Sequence, residues 1–160
     1  MVRIVGFGRP DRSDRASAVL SAAAGFGANA VHVSPEGSTG FAMMDQGALD
    51  WRVALDSAHW LVNSSSTVLE GDAPRGAWGA SMAFAELEGS RSVMVVGVPE
   101  SPELLAEAWG SVIERIRQIH LLFFESDALG AIAELEGIEP ESLLSSVRDR
   151  GLVPLVCSYE

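Results

Sequence analysis

Short apolar runs rich in Val, Ile, Leu and Phe recur along the chain at Val2–Phe7, Ala30–Val33, Phe41–Met44, Trp60–Val62, Val93–Val98, Leu121–Phe124 and Leu152–Cys157. Their length and β-branched content predict strands. Between most of them lie longer stretches with helical spacing. Ser13–Gly25 is alanine-rich and suited to close packing on a sheet. Ala73–Leu87 gathers Trp78, Met82, Phe84 and Ala85 near one face, and Pro102–Ile119 aligns Leu105, Trp109, Val112, Ile113 and Ile116 on one stripe. Glu139–Arg150 ends in a basic pair that suits a helix C-terminus. Pro74, Pro102 and Pro140 fit first-turn positions, and Gly89, Gly137 and Gly151 fall where helices should stop. Near-continuous apolar strands alternating with helices predict an α/β, three-layer αβα sandwich on a mainly parallel sheet, covered on both faces. At 160 residues, with no linker or repeat, residues 1–160 are expected to form a single α/β domain.

Charge narrows the chemistry. The chain carries 11 Lys+Arg, every one of them Arg, against 22 Asp+Glu, for a net charge of −11. That balance removes most of the drive for binding nucleic acid or an anionic membrane surface. The absence of lysine removes the phosphate-binding P-loop, Schiff-base chemistry and lysine bases. Cys157 is the sole cysteine, so no intrachain disulfide asks for an oxidising compartment. The apolar run at the N-terminus is too short for a secretory signal, and a cytoplasmic location is the default expectation.

In open α/β sheets ligands bind beyond the carboxyl ends of the strands. The segments expected there are Gly8-Arg9-Pro10-Asp11-Arg12, Asn63-Ser64-Ser65-Ser66-Thr67, Pro99-Glu100-Ser101, Glu125-Ser126-Asp127 and Ser158-Tyr159-Glu160. This rim is mostly acidic. Clustered carboxylates reject a polyphosphate unless a divalent cation bridges them, and the same acids equally suit helix N-termini. Asn63–Thr67 offers an amide and four hydroxyls, material for a polyol or for a turn. Gly6-Phe7-Gly8 lacks the third glycine of a dinucleotide fingerprint and reads as a tight turn. His32, His59 and His120 share no metal-ligand spacing and read as packing residues, as do Trp51, Trp60, Trp78 and Trp109. No Gly-x-Ser-x-Gly or Ser-His-Asp pattern supports a hydrolase.

The order of segments resembles the middle of the PfkB (ribokinase-like) carbohydrate kinases, especially the 2-keto-3-deoxygluconate kinase branch. Val5-Gly6-Phe7-Gly8-Arg9-Pro10-Asp11-Arg12 is similar to the family's strand ending in Gly-Arg-x-Gly-Asp-Asp, with the second glycine lost. Gly37-Ser38-Thr39-Gly40-Phe41-Ala42 matches its Gly-x-Thr-Gly strand entry. Leu49–Ala58 followed by Trp60–Ser64 resembles a helix and strand near the sugar site, and His120–Gly137 the strand and helix carrying Asn-x-x-Glu. The resemblance implies a ribokinase-like sheet, incomplete relative to the family. It implies substrate contacts from Arg9, Asp11, Asn63 and Ser65, and a nucleotide site at Glu125 and Asp127, with Asp127 organising magnesium.

The departures bear on activity. The family's Asp-x-Asn-x-Arg element stands here as Val96-Gly97-Val98-Pro99, without its polar members. Neither the family's amino-terminal glycine pair nor its Gly-Ala-Gly-Asp element is in the sequence. Phosphoryl transfer rests on positioning and charge stabilisation, so loss of these groups removes most of its basis. The expectation is a carbohydrate-kinase-like domain that is not catalytic alone and serves as a binding or oligomerisation module for a small sugar or sugar acid. The alternative is an active sugar or sugar-acid kinase using Mg and ATP, completed by a partner chain. A half-size sheet would leave apolar surface uncovered, which predicts a homodimer.

Overall fold

The chain lays its strands side by side in one direction and returns by helices. A computed structural model describes residues 1–11, 13–35 and 40–160. The elements are β1 (Arg3–Phe7), α1 (Arg15–Gly25), β2 (Asn29–Val33), α2 (Trp51–Leu55), β3 (Trp60–Ser64), α3 (Asp72–Glu88), β4 (Arg91–Val96), α4 (Leu105–Glu114), β5 (Leu121–Glu125), α5 (Ser126–Glu136), α6 (Pro140–Gly151) and β6 (Leu155–Tyr159). The six strands pair in the order β2-β1-β3-β4-β5-β6, all parallel. This is the expected three-layer α/β architecture.

Local chemistry explains the boundaries. Asp14 caps α1 by accepting the Ser17 N–H at 2.9 Å. Gly89 and Gly137 end α3 and α5 in the left-handed conformation, at φ 74° and 68°. Three expectations shift. Phe41–Met44, expected as a strand, is a 3-10 turn over Phe41–Met43 that packs Phe41 on Phe7 with ring centroids 5.6 Å apart. The last strand begins at Leu155 rather than Leu152, because Leu152 takes the left-handed cap of α6 at φ 54° and Val153 plugs the core. Gly151, expected to end that helix, lies within it, where a Cβ would collide with Ile116. Most of the Gly37–Gly40 motif and Arg12 lie outside the described residues.

The two faces of the sheet are unequal. Helices α2 to α6 all pack on one face, where Phe7, Leu61, Met94, Leu122 and Phe124 meet Trp51, Trp78, Met82, Trp109, Ile132 and Leu143 in the main core. Among the described residues only α1 lies on the other face, over β1, β2 and β3. It sits close: a Cβ on Gly6 would meet Leu20 at 2.6 Å. A smaller cluster of Ala16, Val62, Val93 and Val95 holds it there. The expected cover on both faces is therefore partial. The asymmetry follows from handedness: right-handed crossovers send every step from β2 toward β6 to one side, and only the β1-to-β2 step to the other. Among the described residues no helix is long and apolar enough to cross a membrane.

Candidate functional site

Strand order reverses between β1 and β3, and beyond their carboxyl ends lies a cleft of about 330 Å³. Its walls come from the β1–α1 turn (Arg9, Ser13, Asp14, Arg15), the end of β3 and the 3-10 turn after it (Ser64, Ser66, Leu69, Glu70), and the β4–α4 loop (Val98 to Ser101, and Leu104). Each strand delivers its turn to the same rim, so groups far apart in sequence converge.

Two arginines dominate, and their states differ. Arg15, the first residue of α1, crosses the top of the sheet and clamps Glu125 at the end of β5 with a two-pronged pair, Nε to Oε1 at 2.7 Å and Nη2 to Oε2 at 2.8 Å. Nη2 also donates to the Val98 carbonyl at 3.0 Å, and Nη1 lies 3.4 Å from Ser66 Oγ. The hydrogen bond to Glu125 outweighs burial and holds the Arg15 guanidinium above its ordinary pKa. Gly97 makes the clamp possible, because a Cβ there would occupy the space of the guanidinium. Arg9 is held more loosely. Its Nε lies 3.3 Å from Glu70 and 3.4 Å from Asp11, yet is aligned to donate to neither. Its Nη2 reaches the exposed Glu100 at 3.3 Å.

The acids around Arg9 are unlike one another. Burial pushes Asp14 and Glu70 above the usual carboxylate range, against the Ser17 N–H in one case and Arg9 in the other. The hydrogen bond from Ser13 Oγ holds exposed Asp11 below it. His32, on β2, ties the turn from outside: Ser17 Oγ lies 3.1 Å from its Nε2 and donates to the Arg9 carbonyl at 2.7 Å. His59 and His120 each accept a backbone N–H of a neighbouring strand, from Arg3 and Ser92. All three histidines thus have packing partners.

Of the residues singled out from sequence, Arg9 lines the cleft, and Asp11 stands just outside it against Arg9. Asn63 and Ser65 do not line it. Asn63 is fully buried on the core side, where its Nδ2 donates to Ser81 Oγ at 3.0 Å, and Ser65 is buried beneath the 3-10 turn. Their neighbours Ser64 and Ser66 face the cleft instead. Asn63 Oδ1, Ser65 Oγ and Thr67 Oγ1 are buried without hydrogen-bond partners, a polar floor behind the wall. Arg15, Asp14 and Glu70 were not singled out, and Ser66 only as one hydroxyl of the Asn63–Thr67 tract. Arg15 and Asp14 were legible in principle, since any helix following β1 must start at this rim.

The acids at the rim are already committed to partners within the chain. Glu125 has both carboxylate oxygens on Arg15, and Asp127 accepts the N–H of Ala128 at 2.8 Å in the first turn of α5. Among the described residues no three of His, Cys, Asp or Glu converge to hold a metal ion. With both arginines facing carboxylates, the residues as placed do not fit a magnesium triphosphate.

No family model matches this sequence, and no curated protein matches it. Solved structures do. The chain is similar to 2-dehydro-3-deoxygluconokinase from Thermotoga maritima, with TM-score 0.67 and 14% identity over 96% of this chain and 70% of that one. It is similar to fructokinase with bound ATP from Xylella fastidiosa, with TM-score 0.59 and 10% identity over 99% and 54%. A PfkB protein from Polaromonas sp. JS666 aligns with TM-score 0.59 and 14% identity over 98% and 58%. The chain thus spans from about half to 70% of the length of these neighbours. At such identities the likeness is one of fold: the chain carries the ribokinase-like fold of PfkB carbohydrate kinases, as its segment order led us to expect.

Proposed function

We propose that the cleft binds a small, uncharged polyhydroxylated ligand, a sugar or polyol, and that the chain alone does not transfer phosphate. The observation that carries this reading is the state of the two arginines. Arg15 is fully engaged with Glu125, Val98 and Ser66, while Arg9, 29% exposed on the cleft wall, is held only by long contacts of 3.3–3.5 Å to Glu70, Asp11, Glu100 and Ser13. Carboxylates accept from pairs of neighbouring hydroxyls, a guanidinium donates to a hydroxyl or ring oxygen, and Leu69, Pro99 and Leu104 offer apolar surface to the C–H face of such a ligand. A phosphate or second carboxylate would enter against Asp14, Glu70 and Glu100. Kinship of fold with sugar and sugar-acid kinases agrees with the ligand class.

The test is calorimetric titration and thermal melting with neutral pentoses, hexoses and polyols beside sugar acids. The expected result is heat and a raised melting temperature with a neutral member, both lost in Arg9→Met and in Ser66→Ala. No heat and no shift across the panel would overturn the reading. In a parallel arm the protein is mixed with magnesium-ATP and the same panel. ADP release abolished by Asp127→Ala would replace our reading with the enzymatic one, an ATP-dependent sugar kinase; no release above background supports a binding role.

A further inference from the structure

Among the described residues, no helix lies over β5 and β6 on the face of the sheet that carries α1. Along β5 and β6 the side chains pointing that way are Leu121, Phe123, Leu155, Cys157 and Tyr159, flanked by the buried Val93 and Val95 of β4 and by Trp60 of β3. Leu155 is 48% exposed and Tyr159 42%. All-parallel sheets are ordinarily covered on both faces, so this strip lacks a layer. It is also a step: α1 stands one helix diameter, about 10 Å, above the sheet beside it. A second sheet laid flat on the strip, with its own α1 opposite, would strike that helix. A helix lying next to α1 fills the step.

The outward face of α1 has the character of such a filler. Ala18, Ser21, Ala22 and Gly25, spaced three and four apart, form its solvent side, and no charged residue occurs from Ala16 to Gly27. A free surface helix in a chain of net charge −11 would be expected to carry charge there. Just past its end, Phe26 is 94% exposed.

We infer that a second copy of this chain covers the strip, related by a two-fold axis along the strands, with the two α1 helices side by side in one layer between the two sheets. Each α1 then covers its own β1–β3 and its partner's β5 and β6. The charges agree with this pairing. Because α1 runs antiparallel to the strands, its carboxyl end meets the end of the strip bearing Arg91, and its amino end meets the end bearing Glu125 and Glu160. Both placements complement the helix dipole. Phe26 falls at the level of the partner's Leu121 and Leu155, so two exposed apolar groups lose water together.

Size sets the strength. Two strands about 4.8 Å apart and five residues long give a strip of about 10 by 17 Å, and the helix face adds about 10 by 17 Å. That is about 340 Å² in plan for each copy, which even with side-chain relief stays at or below the lower end of the ~1,200–2,000 Å² of stable complexes. A micromolar dimer follows, rather than a nanomolar one.

Sedimentation velocity across the micromolar range tests it. The parent is expected to pass from monomer to dimer, with alkylation of the native Cys157 on the strip slowing as concentration rises. Phe26→Asp, Ala22→Glu and Leu155→Glu, all at exposed positions, are expected to remain monomeric with unchanged circular dichroism and fast Cys157 alkylation. A parent monomeric throughout, or a dimer that survives all three substitutions, overturns the inference. Because sugar titrations read the cleft and these measurements read the strip, either proposal can fail alone.

Discussion

The clamp between Arg15 and Glu125 joins α1 to the far side of the sheet across Gly97, and that geometry dictates an unusual pattern of mutational effects. Removing one partner of a fully buried ion pair costs about 3–5 kcal/mol. An exposed pair is worth about 0–1 kcal/mol. The Arg15 and Glu125 side chains are 23% and 27% exposed, and Arg15 also loses the Val98 carbonyl. An intermediate cost of about 2–3 kcal/mol for Arg15→Ala is therefore expected, or about 5–10 °C in melting temperature at this chain length. Gly97→Ala should cost nearly as much, since its methyl group evicts the guanidinium and breaks the same bonds. In the Arg15→Ala background the three atoms nearest to a Cβ at position 97, all of the guanidinium, are gone, and the φ there lies outside the left-handed region. There the sign should reverse, with a gain of about 0.4–1 kcal/mol from a less flexible unfolded chain. Urea unfolding followed by tryptophan fluorescence, with an unchanged slope, reads all four corners of the cycle. Equal costs for Gly97→Ala in both backgrounds would refute the clamp.

Two further outcomes follow from groups in the β1–α1 turn. Asp14→Ala is expected to cost about 1 kcal/mol through loss of the α1 cap. Asp14→Asn keeps an acceptor and removes a charge that burial disfavours. The folded carboxyl lies above its ordinary 3.8, so the ionised form weakens the fold as pH rises through that window. The Asn variant should therefore melt at or above the parent at pH 7, with the gap closing toward pH 4, and an Asn variant as unstable as Ala would contradict this. Burial holds His32 below its ordinary 6.5, against Asp14 and the Gly8 carbonyl, so its contribution is complete above that pH and is lost as pH falls below it. Melting temperatures of the parent should drop more steeply between pH 7 and 5 than those of His32→Gln; superimposable acid limbs would dispose of the assignment.

The strands and helices were legible because apolar runs and Gly, Pro and Asp punctuation agreed. Phe41–Met44 misleads for a physical reason: a four-residue apolar run reports burial, and Phe41 and Met44 are drawn in by Phe7 and the core without extended pairing. Leu152-Val153 is apolar for a similar reason, one residue closing a helix and the other filling the core. At the site the error was one of parity. Asn63, Ser64, Ser65 and Ser66 are all polar; alternation in β3 sends Asn63 and Ser64 to opposite faces, and Ser65 and Ser66 belong to the 3-10 turn that follows. Nothing in the tract says which pair faces the cleft until the register of β3 against β1 sets Asn63 beside Phe7, on the core side. Arg9 and Asp11 needed no such register, since they follow a strand directly.

The cleft and the bare strip share one cause, and neither could be placed before the strand order was known. In a sheet ordered β2-β1-β3-β4-β5-β6 a single connection runs toward the β2 edge. That reversal opens the crevice between the β1 and β3 turns, where Arg9 and the serines meet. The same reversal makes α1 the sole helix on its side among the described residues, which leaves β5 and β6 uncovered there. A chain that takes one leftward step and then four to the right, counting β2-to-β3 among them, must acquire both features together. Arg15 stands where they meet: its guanidinium forms part of the cleft wall and, through Glu125 and Tyr159, closes the upper end of the strip. A residue so placed resists change for two independent reasons, and the Gly97 beneath it shares both.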